Sequence, residues 1–281
     1  MPYRLYITNK NYSSWSLRPW LLLRQLGIPF VEDLRPLVSG TFHQPQWRDF
    51  SPVAHVPCLH VLPDSNTPAP DSSSSAVVGS EQQQQLGGGV KGDDEEEGGI
   101  VLWESLAIVE FLAEEHPDKH VYPPRNRAAA RAWARSAVAE MHASFLVLRQ
   151  AMGMNVGVRI GLDSDSSSSF FTEGLVRDLE RVDELWTEGL RRFGGPFLAG
   201  KEFTAVDAFY APVVLRLQTY VGVVERFFGA EGRAYVERML EVEGVKEWVE
   251  AALKETGREV VHEAESLEWG GKRLIADLRA T

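Results

Sequence analysis

The order of its elements constrains this chain more than any single motif. Tyr3 to Thr8 alternates and is rich in β-formers, so it reads as a strand. Leu17 to Leu26 has helical spacing and is stopped by Gly27. Phe30 to Leu34, Cys58 to Leu62 and Ile100 to Trp103 read as three further short strands, and Glu104 to His116 as a helix. The sum is βαβ, a polar stretch, then ββα: a small mixed sheet with helices. All that follows is helical. The periodicity predicts helices over Arg125 to Met152, Phe171 to Phe193, Ala205 to Val221, Ala230 to Leu240 and Val245 to Glu255, punctuated by Gly194-Gly195-Pro196 and Gly200. We set the domains at 1–120 and 121–281. A small α/β unit followed by a helical bundle leaves few architectures open.

That reading requires one excision. Residues 63–99 are built of Ser, Gln, Gly and acidic runs, with almost no large apolar side chains. Such a segment buries too little to offset its ordering entropy, so it is expected to be a disordered insertion that lengthens a hairpin turn. Asp163 to Ser169 is a second, shorter polar loop.

The segment also governs the charge. The chain carries a formal −11, of which residues 63–99 hold −7, leaving −4 for the rest. No basic groove remains for nucleic acid. No run of about 18 apolar residues exists to span a membrane, and the N-terminus lacks an apolar signal region. One cysteine, Cys58, excludes an intramolecular disulfide and a multi-cysteine metal site, and points to a reducing, cytoplasmic setting. No metal ligand set is expected.

Candidate chemistry gathers at the first strand-to-helix junction, NYSSWSLRPW, where Tyr12, Ser13, Ser14 and Ser16 crowd a helix start. One serine must cap the helix, and Ser16 is the expected cap. Another hydroxyl there, backed by the helix dipole, can hold a ligand. Two more segments stand out. Val56-Pro57 leads into a strand as a turn or strand-edge device, and Glu104-Ser105 opens a helix, which by itself reads as a helix cap with a first-turn acid. Thr204-Ala-Val-Asp207 has the form of a capping box and reads as structural.

Together, NYSSWSLRPW, SPVAHVPCL, LWESLAIVEFL and FTAVDAFYAPVV, in this order, resemble the soluble glutathione transferases over nearly all the chain outside the insertion. The resemblance implies an α/β thioredoxin-like N-terminal domain carrying the glutathione site, an all-α C-terminal domain carrying the electrophile site, and a homodimer. It also implies a cis bond at Val56-Pro57. Glutathione would be held by His55, Val56, Pro57, Glu104 and Ser105. The run Ser13-Ser14-Trp15-Ser16-Leu17-Arg18 is similar to the S-S-C-S-x-R of serine-type, zeta-like members. That assigns the thiol-facing hydroxyl to Ser13, with Ser14 second and Tyr12 a lesser candidate.

Trp15 stands where that pattern has Cys, which leaves a cysteine-centred mechanism without its nucleophile. Cys58 is expected to be buried and inert. Tyr12, Trp15, Arg135 and His142 are the candidates for the electrophile pocket. The implied reaction is addition of the glutathione thiolate to a soft electrophile. Two alternatives stay open: a glutathione-dependent cis–trans isomerase of the maleylacetoacetate isomerase type, which basic groups in the pocket would favour, and a non-catalytic binding module on the same fold.

Overall fold

A computed structural model describes residues 2–38, 44–62, 99–162, 170–268 and 272–279. Most of residues 63–99, and Asp163 to Ser169, lie outside the described residues.

Strand β1 (Tyr3–Ile7) is the centre of the first half. It pairs in parallel with β2 (Phe30–Leu34) and antiparallel with β3 (Cys58–Val61), and β3 pairs antiparallel with β4 (Val101–Trp103), giving the order β2-β1-β3-β4. The expected β3–β4 hairpin is thus present, with Cys58 opposite Trp103. Helix α1 (Ser14–Gln25) connects β1 to β2, and α2 (Ser105–Glu115) follows β4. Leu17, Leu21, Leu22 and Leu23 of α1 are fully buried. Its end is local chemistry: Gly27 adopts φ +62, and the amides of Gly27 and Ile28 return to the carbonyls of Arg24 and Leu23 at 3.3 and 2.9 Å.

The start of α1 differs from expectation. The helix begins at Ser14, three residues before Leu17, and Ser13, not Ser16, is its cap: Ser13 Oγ accepts the Ser16 N–H at 3.2 Å. Ser16 lies inside the first turn, buried under the Thr8 amide.

The second half holds α3 (Ala128–Ala143), α4 (Leu146–Ala151), α5 (Glu173–Phe193), α6 (Ala205–Thr219), α7 (Val223–Phe227), α8 (Ala230–Glu241), α9 (Glu243–Lys254) and α10 (Val260–Glu268). The single helix expected over Arg125 to Met152 is broken: Ser144 is extended and Phe145 is left-handed at φ +60. Helix α6 is buried nearly all round, which marks it as the central helix of the bundle. Its capping box is present. Asp207 accepts the Thr204 N–H at 2.9 Å, and its other oxygen takes the Leu198 N–H and the Tyr235 hydroxyl at 3.0 Å each.

The C-terminal tail, unassigned in the sequence, forms a second sheet. Strand β5 (Val158–Leu162) pairs antiparallel with β6 (Lys272–Asp277). Arg279 then runs past Gly157, where a Cβ would fall 2.2 Å from Arg279 Cδ. The guanidinium is held by Asp277 and Glu263. Burial pushes the Glu263 carboxyl up, but bonds from Arg279 and Tyr12 outweigh this and hold it below the usual range. Arg279 likewise holds Asp277 down, to about 2.

Depressed carboxyls contribute stability that is present above their unfolded values and lost as pH falls through the folded ones. Arg279→Ala is therefore expected to raise amide hydrogen exchange across α10 and β6 at pH 7. Acidifying the wild type to pH 3 should lower the protection factors of the same segment, each rate being referred to the intrinsic exchange rate at its own pH. Unchanged protection at both would show that the tail is held by its strand alone.

Candidate active site

The functional candidates meet where the two halves join. Two links from α9 and its end hold the β1–α1 junction there. Glu255 accepts the amides of Lys10 and Asn11 at 2.7 and 3.3 Å, and Trp248 Nε1 donates to the Lys10 carbonyl at 2.9 Å. A cleft of about 680 Å³ opens beside the junction, with walls that include Tyr12, Ser13, Ser14, Trp15, His55 and Val56 from the first half and Leu146, Arg149, Arg216 and His262 from the second. That volume accommodates a small ligand.

Ser13 is half-buried at the mouth of α1. Its hydroxyl lies 2.8 Å from Ser16 Oγ. Either oxygen of such a pair can supply the hydrogen. When Ser16 donates, the Ser13 proton is available to the cleft while its oxygen still caps the helix. Ser14 is buried, and its Oγ accepts from Arg216 Nη2 at 3.3 Å.

Tyr12 lines the cleft but its hydroxyl is engaged. It donates to Glu263 at 2.5 Å and accepts from Arg279 at 3.3 Å, while its ring stacks on His262 at 5.0 Å. Burial and Glu263 push this phenol well above its ordinary value. That is the wrong direction for an anionic or readily ionised role.

The Val56-Pro57 bond is cis. Val56 lines the cleft, and the exposed His55 beside it has Nδ1 2.6 Å from the Val53 carbonyl. Glu104 and Ser105 are outside the cleft lining, yet the β3–β4 register sets them next to Pro57, at the same end of the sheet as Ser13. Glu104 is exposed and holds φ +69. Ser105 Oγ is buried at the start of α2 with no hydrogen-bond partner, an acceptor-starved hydroxyl at a helix N-terminus.

Trp15 is half-buried in the cleft wall, with the His142 ring against it edge-on at 5.4 Å. Burial, then Arg18, lowers the His142 pKa, and its Nδ1 is buried without a partner. Arg135 is not brought to the cleft. It is exposed, pairs with Glu110, and lines a different cavity of about 410 Å³ with His116, Tyr122 and Arg131. Cys58 is fully buried and donates to the Phe50 carbonyl at 3.3 Å; burial pushes its thiol up to about 12, so it stays protonated at neutral pH.

Sequence reasoning passed over Arg149 as a cleft residue and missed Arg216 and His262. None carries a local signal, and each reaches the site from a separate helix. Among the described residues, no cluster of three or more His, Cys, Asp or Glu is placed to hold a metal ion, and no helix is long and apolar enough to cross a membrane.

Comparison with known proteins bears on the fold. Residues 12–115 match the sequence family described as glutathione S-transferase, N-terminal domain. No match is found among the curated proteins. The structure is similar to a glutathione transferase from Methylococcus capsulatus, at 20% identity and TM-score 0.52, covering 89% of this chain and 98% of that one. It is similar to glutathione transferase Omega 2S from Trametes versicolor in complex with 2,4-dihydroxybenzophenone, at 16% identity and TM-score 0.55, covering 88% and 93%. A glutathione transferase homologue from Burkholderia gl BGR1 with bound glutathione gives 19% identity and TM-score 0.51, covering 89% and 97%. At such identities the likeness shows the fold. Residues 12–115 thus match the glutathione S-transferase N-terminal domain family, in a chain whose overall fold is like that of the glutathione transferases.

Proposed function

We propose that this protein binds glutathione and adds its thiolate to a small electrophile in the cleft. The observation that carries this is the place of Ser13: a hydroxyl at the N-cap of α1, in the lining of the same cleft as Val56 of the cis-proline turn. Ser13 would donate to the sulfur and, with the α1 dipole, favour the thiolate. The thiolate is the form that attacks. The peptide backbone of glutathione would pair along Val56. Its γ-glutamyl end would reach Ser105 with its carboxylate and Glu104 with its ammonium. His55 would stand near the glycine end. Glutathione brings the nucleophile, so the protein's share is position and charge stabilisation.

Two neighbours in fold support this reading, one reported with bound glutathione and one with an aromatic ligand. In this reading the molecule works as a homodimer in the cytoplasm.

Calorimetry with glutathione tests it. Wild type is expected to bind in the micromolar to millimolar range. Ser105→Ala and Glu104→Gln are each expected to weaken binding about tenfold, the loss of one charge-assisted hydrogen bond. No binding by wild type at millimolar glutathione would sink the reading.

A further inference from the structure

Two guanidinium groups line the inner wall of the cleft and a third is buried against Trp15 of that wall, and none of the three has a carboxylate partner in hydrogen-bond contact among the described residues. Arg18 of α1 is 1% exposed, and its Nε and Nη1 have no hydrogen-bond partner. It lies 4.1 Å from the Trp15 ring centroid and 4.9 Å from that of Phe209. Arg149 of α4 lines the cleft, 5.4 Å from the same indole. Its Nη1 reaches the His142 carbonyl at 3.4 Å, while its Nε is buried and unpartnered. Arg216 of α6 also lines the cleft. It donates to the carbonyls of Arg149 and Met152 and to Ser14 Oγ.

Burial lowers all three, Arg18 to about 9 and Arg216 to about 10, and the neighbouring guanidiniums add to the effect on these two. Glu104 and Asp178 act on Arg18 and Arg149 only through space, and Asp178 itself accepts the Leu148 N–H at 3.0 Å. Glu265, the carboxylate in the cleft lining, belongs to α10 and acts on Lys272 and Tyr220.

Guanidinium stays charged in proteins. Buried cations are costly unless paired. Carbonyls and ring faces offset part of that cost here, but they bring no net negative charge. An anion would.

We propose that this wall, between α1, α4 and α6, is an anion subsite, and that the second substrate carries a carboxylate seated on Arg149 and Arg216 beside Ser14. The planar fork of a guanidinium matches a carboxylate. Ser13 adjoins Ser14, so a molecule anchored there places its remaining atoms toward the thiol-facing hydroxyl. The word substrate rests on the proposed glutathione reading; the subsite itself does not.

The test therefore starts without glutathione, by titrating 4-nitrobenzoate and its neutral analogue 4-nitrobenzamide into the full chain in a calorimeter. Wild type is expected to prefer the acid by about tenfold or more. That preference should shrink as chloride is raised. In Arg149→Gln it should fall to near unity, while Arg149→Lys retains part of it. Equal affinity for acid and amide in wild type overturns the proposal, and this arm needs no variant to fold. An acid preference untouched by Arg149→Gln overturns it too. Glutathione is then titrated into the same wild-type sample. Acid preference without glutathione binding leaves the subsite standing and removes the transferase reading; glutathione binding without acid preference does the reverse.

Discussion

Ser13→Ala is expected to lower kcat/KM for glutathione-dependent turnover by about two to three powers of ten, the usual cost of removing one donor to a developing or resident anion. It should also move the thiolate titration of bound glutathione, followed by ultraviolet absorbance, back toward the free-thiol value of about 8.5. The same substitution removes the cap of α1, since Ser13 Oγ accepts the Ser16 N–H. Loss of an N-cap costs about 1 kcal/mol of stability.

The two effects are separable. Ser13→Thr keeps both a hydroxyl and a cap, and is expected to retain most of the stability and much of the rate. If Ser13→Ala loses stability while the bound thiolate titrates as in wild type, Ser13 is a cap only. The chemistry would then pass to Ser14, whose hydroxyl is already polarised by Arg216. Tyr12 is the weaker heir because Glu263 and Arg279 hold its oxygen.

The largest stability loss is expected at Asp207. Its carboxylate satisfies two buried amides and the Tyr235 hydroxyl. Asp207→Ala leaves those donors unpaired in the core and should cost about 3–5 kcal/mol in urea unfolding at pH 7. Asp207→Asn keeps one acceptor but turns an NH₂ toward a donor, and should cost about 2–3 kcal/mol.

The pH dependence has a definite sign. Burial raises this carboxyl from 3.8 to about 6 in the folded chain, against the pull of its hydrogen bonds. A group raised in the folded state contributes fully below its unfolded value, and that contribution is lost as pH rises through the folded one. Between about pH 4 and 6 it therefore subtracts from wild-type stability. Asp207→Asn should lack that downward component. Parallel pH profiles for the two proteins would place the Asp207 titration elsewhere.

What could be read from the sequence was local. Gly27 stops α1 because a left-handed residue is needed there, and Thr204–Asp207 caps α6 through atoms three residues apart. Alternation found β1, and short runs found the other three strands of the first sheet. The misses are tertiary. No Gly or Pro marks the break at Ser144–Phe145; the new helix start is fixed from α5, where Asp178 takes the Leu148 amide. Strand β6 exists only because β5, over a hundred residues earlier, offers it an edge.

The site divides the same way. Ser13, Val56, Pro57, Glu104 and Ser105 sit in short motifs, and the fold brings them to one end of the sheet. Choosing the capping serine required knowing where the helix starts, and periodicity blurs that by several residues. Arg18, Arg149 and Arg216 are scattered over three helices, so no window of sequence reveals that they converge on one indole and one serine.

The β3–β4 hairpin has a practical consequence. Val61 N–H still bonds the Ile100 carbonyl at 2.9 Å, and a Cβ on Gly99 would lie 3.0 Å from the Val61 carbonyl. The two strands are thus already closed against each other where 36 residues, 63–98, part them in sequence. Chain length at that point is nearly decoupled from sheet geometry, because loop closure costs little more as a loop grows. It is a natural port for protein engineering: a short turn can replace those residues, or a reporter can be grafted there, with the register of Cys58 and Trp103 as the gauge of whether the sheet has noticed.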